Sequence, residues 1–247
     1  MDAIGIIPAR YASTRFPGKP LADIFGKPMI QRVYEQAKKS KLLKRVIVAT
    51  DDKRIYHQII ESGGEAIMTS GRYESGTDRV ASVVKDIDCE LVVNIQGDEP
   101  FIPPGNIDLV LKPMLADKSI LVSTLAIKLN QYGDIFDSGK VKVVIDKDRN
   151  ALYFSRSPIP YQRDEEDTIT YYKHIGLYVF RKDFLMKFPN MRHTNLEKAE
   201  KLEQLRILEN GVKIKVIITK KDSVSVDTKK DIFELKKFIN KYNINPA

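Results

Sequence analysis

Between Ala9 and Pro20 the chain reads Ala9, Arg10, Tyr11, Ala12, Ser13, Thr14, Arg15, Phe16, Pro17, Gly18, Lys19, Pro20. The fixed cations Arg10, Arg15 and Lys19 and the small hydroxyl residues Ser13 and Thr14 share this one loop. It follows directly on the apolar run from Ile4 to Ile7, which is expected to break at Pro8. The planar Arg fork and the compact Lys ammonium both suit phosphate oxygens. Positive charge and hydroxyl donors gathered at the end of a buried strand are the chemistry of polyphosphate binding. The spacing is not that of the P-loop, G-x-x-x-x-G-K-[ST], so the loop points to a nucleotide without pointing to an ordinary ATPase or GTPase. For any one of these charges, a solvated surface position is the ordinary alternative.

Carboxylates are the second ingredient. Asp98 follows a continuous apolar stretch from Leu91 to Ile95 and would project into a crevice at that strand's end. Mg2+ takes one or two carboxylates together with substrate phosphate oxygens. A simple Gly97-Asp98 turn is an equal alternative. Asp227 ends the extended segment from Val224 and precedes a helix, where an N-cap is the more ordinary role. The two carboxylates are far apart in sequence, so only the fold can unite them.

Ser75-Gly76-Thr77-Asp78-Arg79 opens a helix. Its small residues allow close backbone approach to a ligand, and a helix N-terminus favours anions. A plain capped helix start explains the same residues. A last group comprises Arg156, His174, Tyr178, Glu203 and Gln204. His174, one of three histidines, begins a strand, where a structural role competes with ligand contact. Glu203 and Gln204 read as mid-helix positions on a solvated face.

These residues need elements to position them. Strand-like runs fall at Ala3–Ile7, Arg45–Thr50, Glu65–Met68, Leu91–Ile95 and Ile120–Ile127. Helical spacing falls at about 27–39, 53–62, 77–86 and 105–116. Asp51-Asp52 caps the second helix and Gly63-Gly64 ends it. Alternation of this kind predicts an α/β, Rossmann-like, mainly parallel sheet with helices on both faces. Ligands then bind at the carboxyl ends of the strands, where both the Arg10–Lys19 loop and the Gln96–Pro100 segment fall. The second half is less regular: strands at Val141–Ile145, Ala151–Ser155, Gly176–Phe180 and Lys213–Thr219, a single helix at Leu196–Glu209 stopped by Asn210-Gly211, and a closing helix at about 229–242. One domain over 1–247 with an inserted subregion at about 130–190 is the expected organisation.

The composition is that of an ordinary globular chain: 247 residues, 43% hydrophobic and 30% charged. The net charge of +8 admits nucleic acid, an anionic membrane surface or a small anion as partner. The dense lysines (Lys38-Lys39, Lys41, Lys44-Arg45, Lys220-Lys221) lack interleaved aromatics, however. They read as solvated surface, so neither a nucleic-acid partner nor membrane insertion is expected. The single cysteine, Cys89, forms no intramolecular disulfide and no Cys-based zinc site, which suits a reducing cytoplasm. No signal-peptide pattern is visible, and no stretch approaches the ~20 apolar residues of a membrane span.

Taken together, the segments IIPARYASTRFPGKPL (6–21), GKPMI (26–30), VATD (48–51), SGTDR (75–79), NIQGDEPFI (94–102), VKVV (141–144), ALYFSRSPIP (151–160), KHIGLY (173–178), EKLEQLR (200–206) and VDT (226–228) resemble the 3-deoxy-manno-octulosonate (Kdo) cytidylyltransferase family over nearly the whole chain. The resemblance implies transfer of CMP from CTP to an acidic eight-carbon sugar, with release of diphosphate, in lipopolysaccharide biosynthesis. It implies a homodimer, for which the irregular 130–190 region is the candidate interface, and Mg2+ as cofactor. Arg10 and Lys19 would hold the CTP phosphates, with Ser13 and Arg15 nearby. Ala9, Ser75, Gly76 and Arg79 would face the cytidine. Asp98 and Asp227 would ligate the metal. Gln96, Arg156, His174, Tyr178, Glu203 and Gln204 would line the sugar site; Glu203 and Gln204 are singled out by the resemblance alone. Asp78 stands where many members carry Glu. The same recognition logic would accept the 8-amino analogue of Kdo, and a sialic acid cytidylyltransferase is the nearest other type.

Overall fold

The computed structural model describes residues 2–12, 16–71, 73–164 and 169–242. Ser13 and Arg15 lie outside the described residues. The chain divides into two compact units, Met1–Asp108 with Ser223–Ala247, and Leu109–Asp222.

The first unit runs through β1 (Ala3–Ala9), the hairpin of β2 (Asp23–Ile24) and β3 (Lys27–Pro28), α1 (Met29–Lys38), β4 (Arg45–Thr50), α2 (Lys53–Glu61), β5 (Ala66–Met68), α3 (Gly76–Val84), β6 (Leu91–Asn94) and the start of α4 (Pro104–Ala116). Its strands lie in the order β6-β1-β4-β5, each pair parallel. This is the Rossmann-like arrangement that the alternating pattern predicts. Ile4, Ile6 and Ile7 in β1, Val46 to Ala49 in β4 and Leu91 to Val93 in β6 are all 0–2% exposed. Strands buried on both faces read as unbroken apolar runs, which is why these were legible.

Two of the differences from the expected boundaries have identifiable reasons. Pro8 does not end β1. The Ile6 carbonyl accepts from Ile95 N (2.9 Å) toward β6, and Pro8, two residues on, faces the same side. The last β1–β6 pair is Ile6↔Asn94, so the missing N–H costs no ladder bond. Pairing with β4 continues through Pro8↔Ala49 and Ala9↔Thr50. The first helix begins at Met29, because Lys27 pairs with Ile24 across the β2–β3 hairpin and Pro28 is extended. Buried Arg32 of α1 ties that hairpin down through the Ile24 and Phe25 carbonyls.

The second unit holds β7 (Val122–Lys128), α5 (Tyr132–Phe136), β8 (Lys142–Ile145), β9 (Ala151–Ser155), β10 (Tyr172–Arg181), α6 (Lys182–Leu185), α7 (Asn195–Glu200), α8 (Gln204–Glu209) and β11 (Ile214–Thr219). β7 pairs with β11 in parallel and with β10 antiparallel. β8 pairs antiparallel with β10 and with β9.

The single helix expected over 196–209 is two helices, broken at Lys201, whose φ of 54° is left-handed. A buried ion pair accounts for the break. Arg206, 2% exposed, donates from Nε (2.9 Å) and Nη2 (2.5 Å) to the Glu197 carboxylate and lies over the Phe188 ring. In one straight helix these residues would be about 13 Å apart along the axis, so the pair forms only if the chain folds back. Glu203 is therefore the N-cap of α8 and Gln204 its first residue; neither is mid-helix, and Gln204 is buried.

Burial pushes the Glu197 carboxyl up, but Arg206 and the Thr194 amide outweigh it and hold the pKa below its ordinary value. The pair therefore stabilises the fold above the ordinary Glu range, and that contribution is lost as pH falls through the lowered folded value. Arg206→Ala, which strands a buried carboxylate, is expected to cost about 3–5 kcal/mol. It would be read as a lower urea midpoint at unchanged slope, together with a flatter acid limb. A midpoint equal to the parent's would contradict this account.

Candidate active site

Lys19 Nζ lies 2.8 Å from Asp98 Oδ2 and 3.0 Å from Asp227 Oδ1. Each of the three side chains is brought there by its own local device. Gly18, at φ 71°, precedes the short turn Lys19–Leu21, and a Cβ on it would strike the Tyr11 phenol at 3.1–3.3 Å. Asp98 follows Gly97, where a Cβ would come within 3.0 Å of the Pro8 carbonyl oxygen. Only glycine lets that turn pass so close to the end of β1. Asp227 arrives from the returning C-terminal segment. Val226 N donates to Asp98 O at 2.9 Å, and the Val226 side chain is sealed in an apolar cluster with Phe16, Ile24, Met29, Phe101, Leu235 and Ile239.

The closing helix, α9 (Asp231–Tyr242), starts two residues later than expected. Its first residue reaches back to the segment before it: Asp231 Oδ2 accepts from Asp227 N (2.8 Å) and Thr228 N (2.7 Å). The Asp227 carboxylate faces Lys19. Burial pushes the Lys19 ammonium toward the neutral form, but Asp98 and then Asp227 outweigh it, so its pKa stands above the ordinary lysine value.

A cavity of about 410 Å³ opens beside this triad, a size suited to a small-molecule ligand. Ala9, Arg10, Lys19, Ser75, Gly76, Arg79, Gln96, Asp98 and Asp227 all line it. Pro8, Pro20, Tyr73, Glu74 and Gly97 complete the wall, of which Tyr73 and Glu74 were not foreseen. Tyr73 and Glu74 directly precede the SGTDR segment, and their place before a helix at a strand end was the available signal.

Ser75 both caps α3 and lines the cavity. Its Oγ accepts from Asp78 N (3.1 Å) while Asp78 Oδ2 accepts from Ser75 N (3.0 Å). Arg79 is 5% exposed; its guanidinium donates to Asp51 Oδ2 (2.6 Å) and Thr69 Oγ1 (2.5 Å) and lies 5.0 Å from the Tyr73 ring centre. It is a braced piece of wall. Arg10 is exposed.

Arg156, His174, Tyr178, Glu203 and Gln204 belong to the second unit. Arg156 donates from Nε to Glu200 O (2.9 Å) and from Nη1 to Ser138 O (3.0 Å). His174 Nε2 is 3.0 Å from Thr124 Oγ1, which also lies within hydrogen-bond distance of the Leu177 (2.9 Å) and Ile175 (3.2 Å) carbonyls. The His174 ring meets Phe154 edge-on and tilts against Tyr178. A register shift in β10 between Ile175 and Tyr178 sets that second ring. Desolvation, with the Glu203 charge adding, raises the Tyr178 phenol well above its ordinary value.

Among the described residues no group of three or more His, Cys, Asp or Glu side chains is arranged to hold a metal ion. The Asp98–Asp227 pair fits a different pattern. Two carboxylate oxygens converge on one cation, an ammonium, and Mg2+ needs no more than one or two carboxylates when phosphates supply other ligands.

A crevice of this make-up at the carboxyl ends of parallel strands is the layout of a nucleotide-handling α/β protein. The family model described as "Cytidylyltransferase" matches residues 4–214. A protein of Geobacter metallireducens named 3-deoxy-manno-octulosonate cytidylyltransferase is 49% identical over 99% of this chain and 100% of its own. One of the same name from Geotalea uraniireducens is 50% identical over 94% of this chain and 96% of its own. A solved structure of CMP:2-keto-3-deoxy-manno-octonic acid synthetase complexed with CTP superposes with TM-score 0.92 at 40% identity, covering 98% of this chain and 100% of that one. The chain belongs to the 3-deoxy-manno-octulosonate cytidylyltransferase family of nucleotidyltransferases.

Desolvation, with the Lys173 charge adding, pushes the His174 pKa down from 6.5 to about 3. The unfolded chain protonates this histidine below 6.5 and the folded chain does not, so the residue erodes stability as pH falls across that window. Its ring-proton NMR shifts are expected to stay constant from about pH 8 to pH 5. A titration near the ordinary histidine value would contradict the arrangement.

Proposed function

We propose that the chain condenses CTP with 3-deoxy-D-manno-octulosonate, forming CMP-Kdo and diphosphate and activating the sugar for lipopolysaccharide synthesis. The observation that carries this reading is the 49% identity to a 3-deoxy-manno-octulosonate cytidylyltransferase across 99% of the chain. The CTP complex of a 40% identical protein supports the choice of nucleotide.

In the reaction the sugar's anomeric hydroxyl forms a new O–P bond at the α-phosphorus, and the bond to diphosphate breaks in line with it. The hydroxyl proton passes to solvent water as that bond forms. The work of the chain is positioning and charge neutralisation. Arg10 and Lys19 bind the triphosphate and stabilise the charge that builds on diphosphate, a role to which the family resemblance adds Ser13 and Arg15. Ala9, Ser75, Gly76 and Arg79 face the cytidine; the Asp51–Thr69–Tyr73 bracing of Arg79 suits a rigid surface for a base. Gln96, Arg156, His174, Tyr178, Glu203 and Gln204 bind the sugar, with Arg156 the natural partner of its carboxylate. Asp98 and Asp227 hold Mg2+, which when bound supplies charge neutralisation and a lowered hydroxyl pKa.

The working form is a homodimer in the cytoplasm. Its interface lies in the 130–190 region, a reading supported by Tyr132 and Tyr161, which are 77% and 87% exposed. No helix among the described residues is long and apolar enough to cross a membrane. Sedimentation at micromolar concentration is expected to show the dimer.

Diphosphate release with CTP, UTP and ATP against Kdo, 8-amino-8-deoxy-Kdo and a sialic acid tests the assignment. CTP with Kdo is expected to be the preferred pair. Asp98→Asn is expected to lower turnover about a hundredfold or more with an unchanged circular-dichroism spectrum. Near-normal CMP-sugar formation by that variant would overturn the metal-holding role.

A further inference from the structure

The Lys19 ammonium sits where the two carboxylates converge, 2.8 Å from one and 3.0 Å from the other. Its side chain is 15% exposed, against 24% for Asp98 and 40% for Asp227, so the ammonium is the more shielded member of each pair. A divalent cation bonded to Asp98 Oδ2 and Asp227 Oδ1 would compete with the ammonium for those two oxygens. The two cations repel each other, so the ammonium disfavours a metal at the carboxylate pair and a metal disfavours the ammonium.

Lys19 also lines the cavity, on a stem of four flexible carbons. A triphosphate there offers the ammonium a second set of anionic partners. We propose that Lys19 is a built-in counter-ion that closes the Asp98–Asp227 pair in the empty site, and that nucleotide opens the pair by drawing the ammonium onto its phosphates. The inference rests on the reading of Asp98 and Asp227 as cation ligands. It adds an order of events: nucleotide enters first, the carboxylates are released, and the carboxylate-bound cation enters last. Nucleotide and this cation therefore bind with positive coupling, and by linkage the coupling is reciprocal.

The test uses Mn2+ as probe, titrated into nucleotide-free protein and followed by electron paramagnetic resonance of the free ion. Wild type is expected to bind weakly. Lys19→Gln and Lys19→Met, which leave the carboxylates without their ammonium, are expected to bind about tenfold or more tightly. Adding Asp98→Asn to Lys19→Gln is expected to abolish the gain. A non-hydrolysable CTP analogue is expected to tighten Mn2+ binding more in wild type than in Lys19→Gln. A second readout needs no variant: saturating Mn2+ alone should accelerate reductive methylation of Lys19 in wild type, measured by mass spectrometry, because it expels the ammonium. Mn2+ binding that depends on Asp98 but is equal in wild type and Lys19→Gln would overturn the counter-ion proposal and leave the metal reading standing. Binding indifferent to Asp98 would overturn the metal reading itself. Should both Lys19 variants misfold, unchanged methylation of wild type at saturating Mn2+ overturns the proposal.

Discussion

The site depends on one ammonium held between two carboxylates that are 79 and 208 residues away from it in the chain. Ion pairs of this partial exposure contribute at most about 1 kcal/mol each and cannot fold the ends of a chain together. The apolar cluster does that. Phe16 from the N-terminal loop, Ile24 and Met29 from the hairpin and α1, and Val226, Leu235 and Ile239 from the returning segment share one buried interior. Closing so long a loop costs only slightly more than closing a short one, whereas burying these side chains returns about 25 cal/mol per Å². The hydrophobic contacts set the register, the Val226–Asp98 backbone bond fixes it, and the charged groups then meet.

A second theme is the contrast between cations used as struts and cations left to work. Arg32, Arg79, Lys142 and Arg206 are all 0–5% exposed, and each is tied to carbonyls or carboxylates. Lys142 donates to the carbonyls of Asp137, Lys140 and Arg156 at 2.5–2.9 Å, joining the loop before β8 to the end of β9. Such groups are fixed, because breaking one leaves a buried charge uncompensated. Arg10 is exposed at the cavity edge and Lys19 has a partly buried stem with a polar head inside the cavity. Only cations of this second kind can change partners when a ligand arrives.

What was legible in the sequence follows from this division of labour. Unbroken apolar strands, helix caps such as Asp52 accepting from Arg54 N, and the strand-end position of Arg10, Lys19 and Asp98 depend on neighbours in sequence. Pattern reading finds them. Asp227 was ambiguous because its local signal is that of an N-cap, whereas its carboxylate meets Lys19, 208 residues away, and its backbone N–H is held by Asp231. The break at Lys201 was hidden for a related reason. Residues 196–209 have a helical pattern, and the Glu197–Arg206 pair that overrides it is a tertiary event. Pro8 misled because its missing N–H matters only if a neighbouring strand reaches that far, which depends on where β6 stops.

The choice of lysine at position 19 is itself informative. An arginine there would meet each carboxylate with a planar fork, and its bidentate pairing favours one fixed partner. Lysine offers a point charge with three rotatable donors, equally satisfied by two carboxylate oxygens or by phosphate oxygens. With its ammonium in place, the triad carries a net charge of about −1; without it, about −2. The cleft's affinity for a hard divalent ion is therefore set by where one side chain points. A rigid strut would fix that affinity, whereas a flexible point charge lets the nucleotide set it.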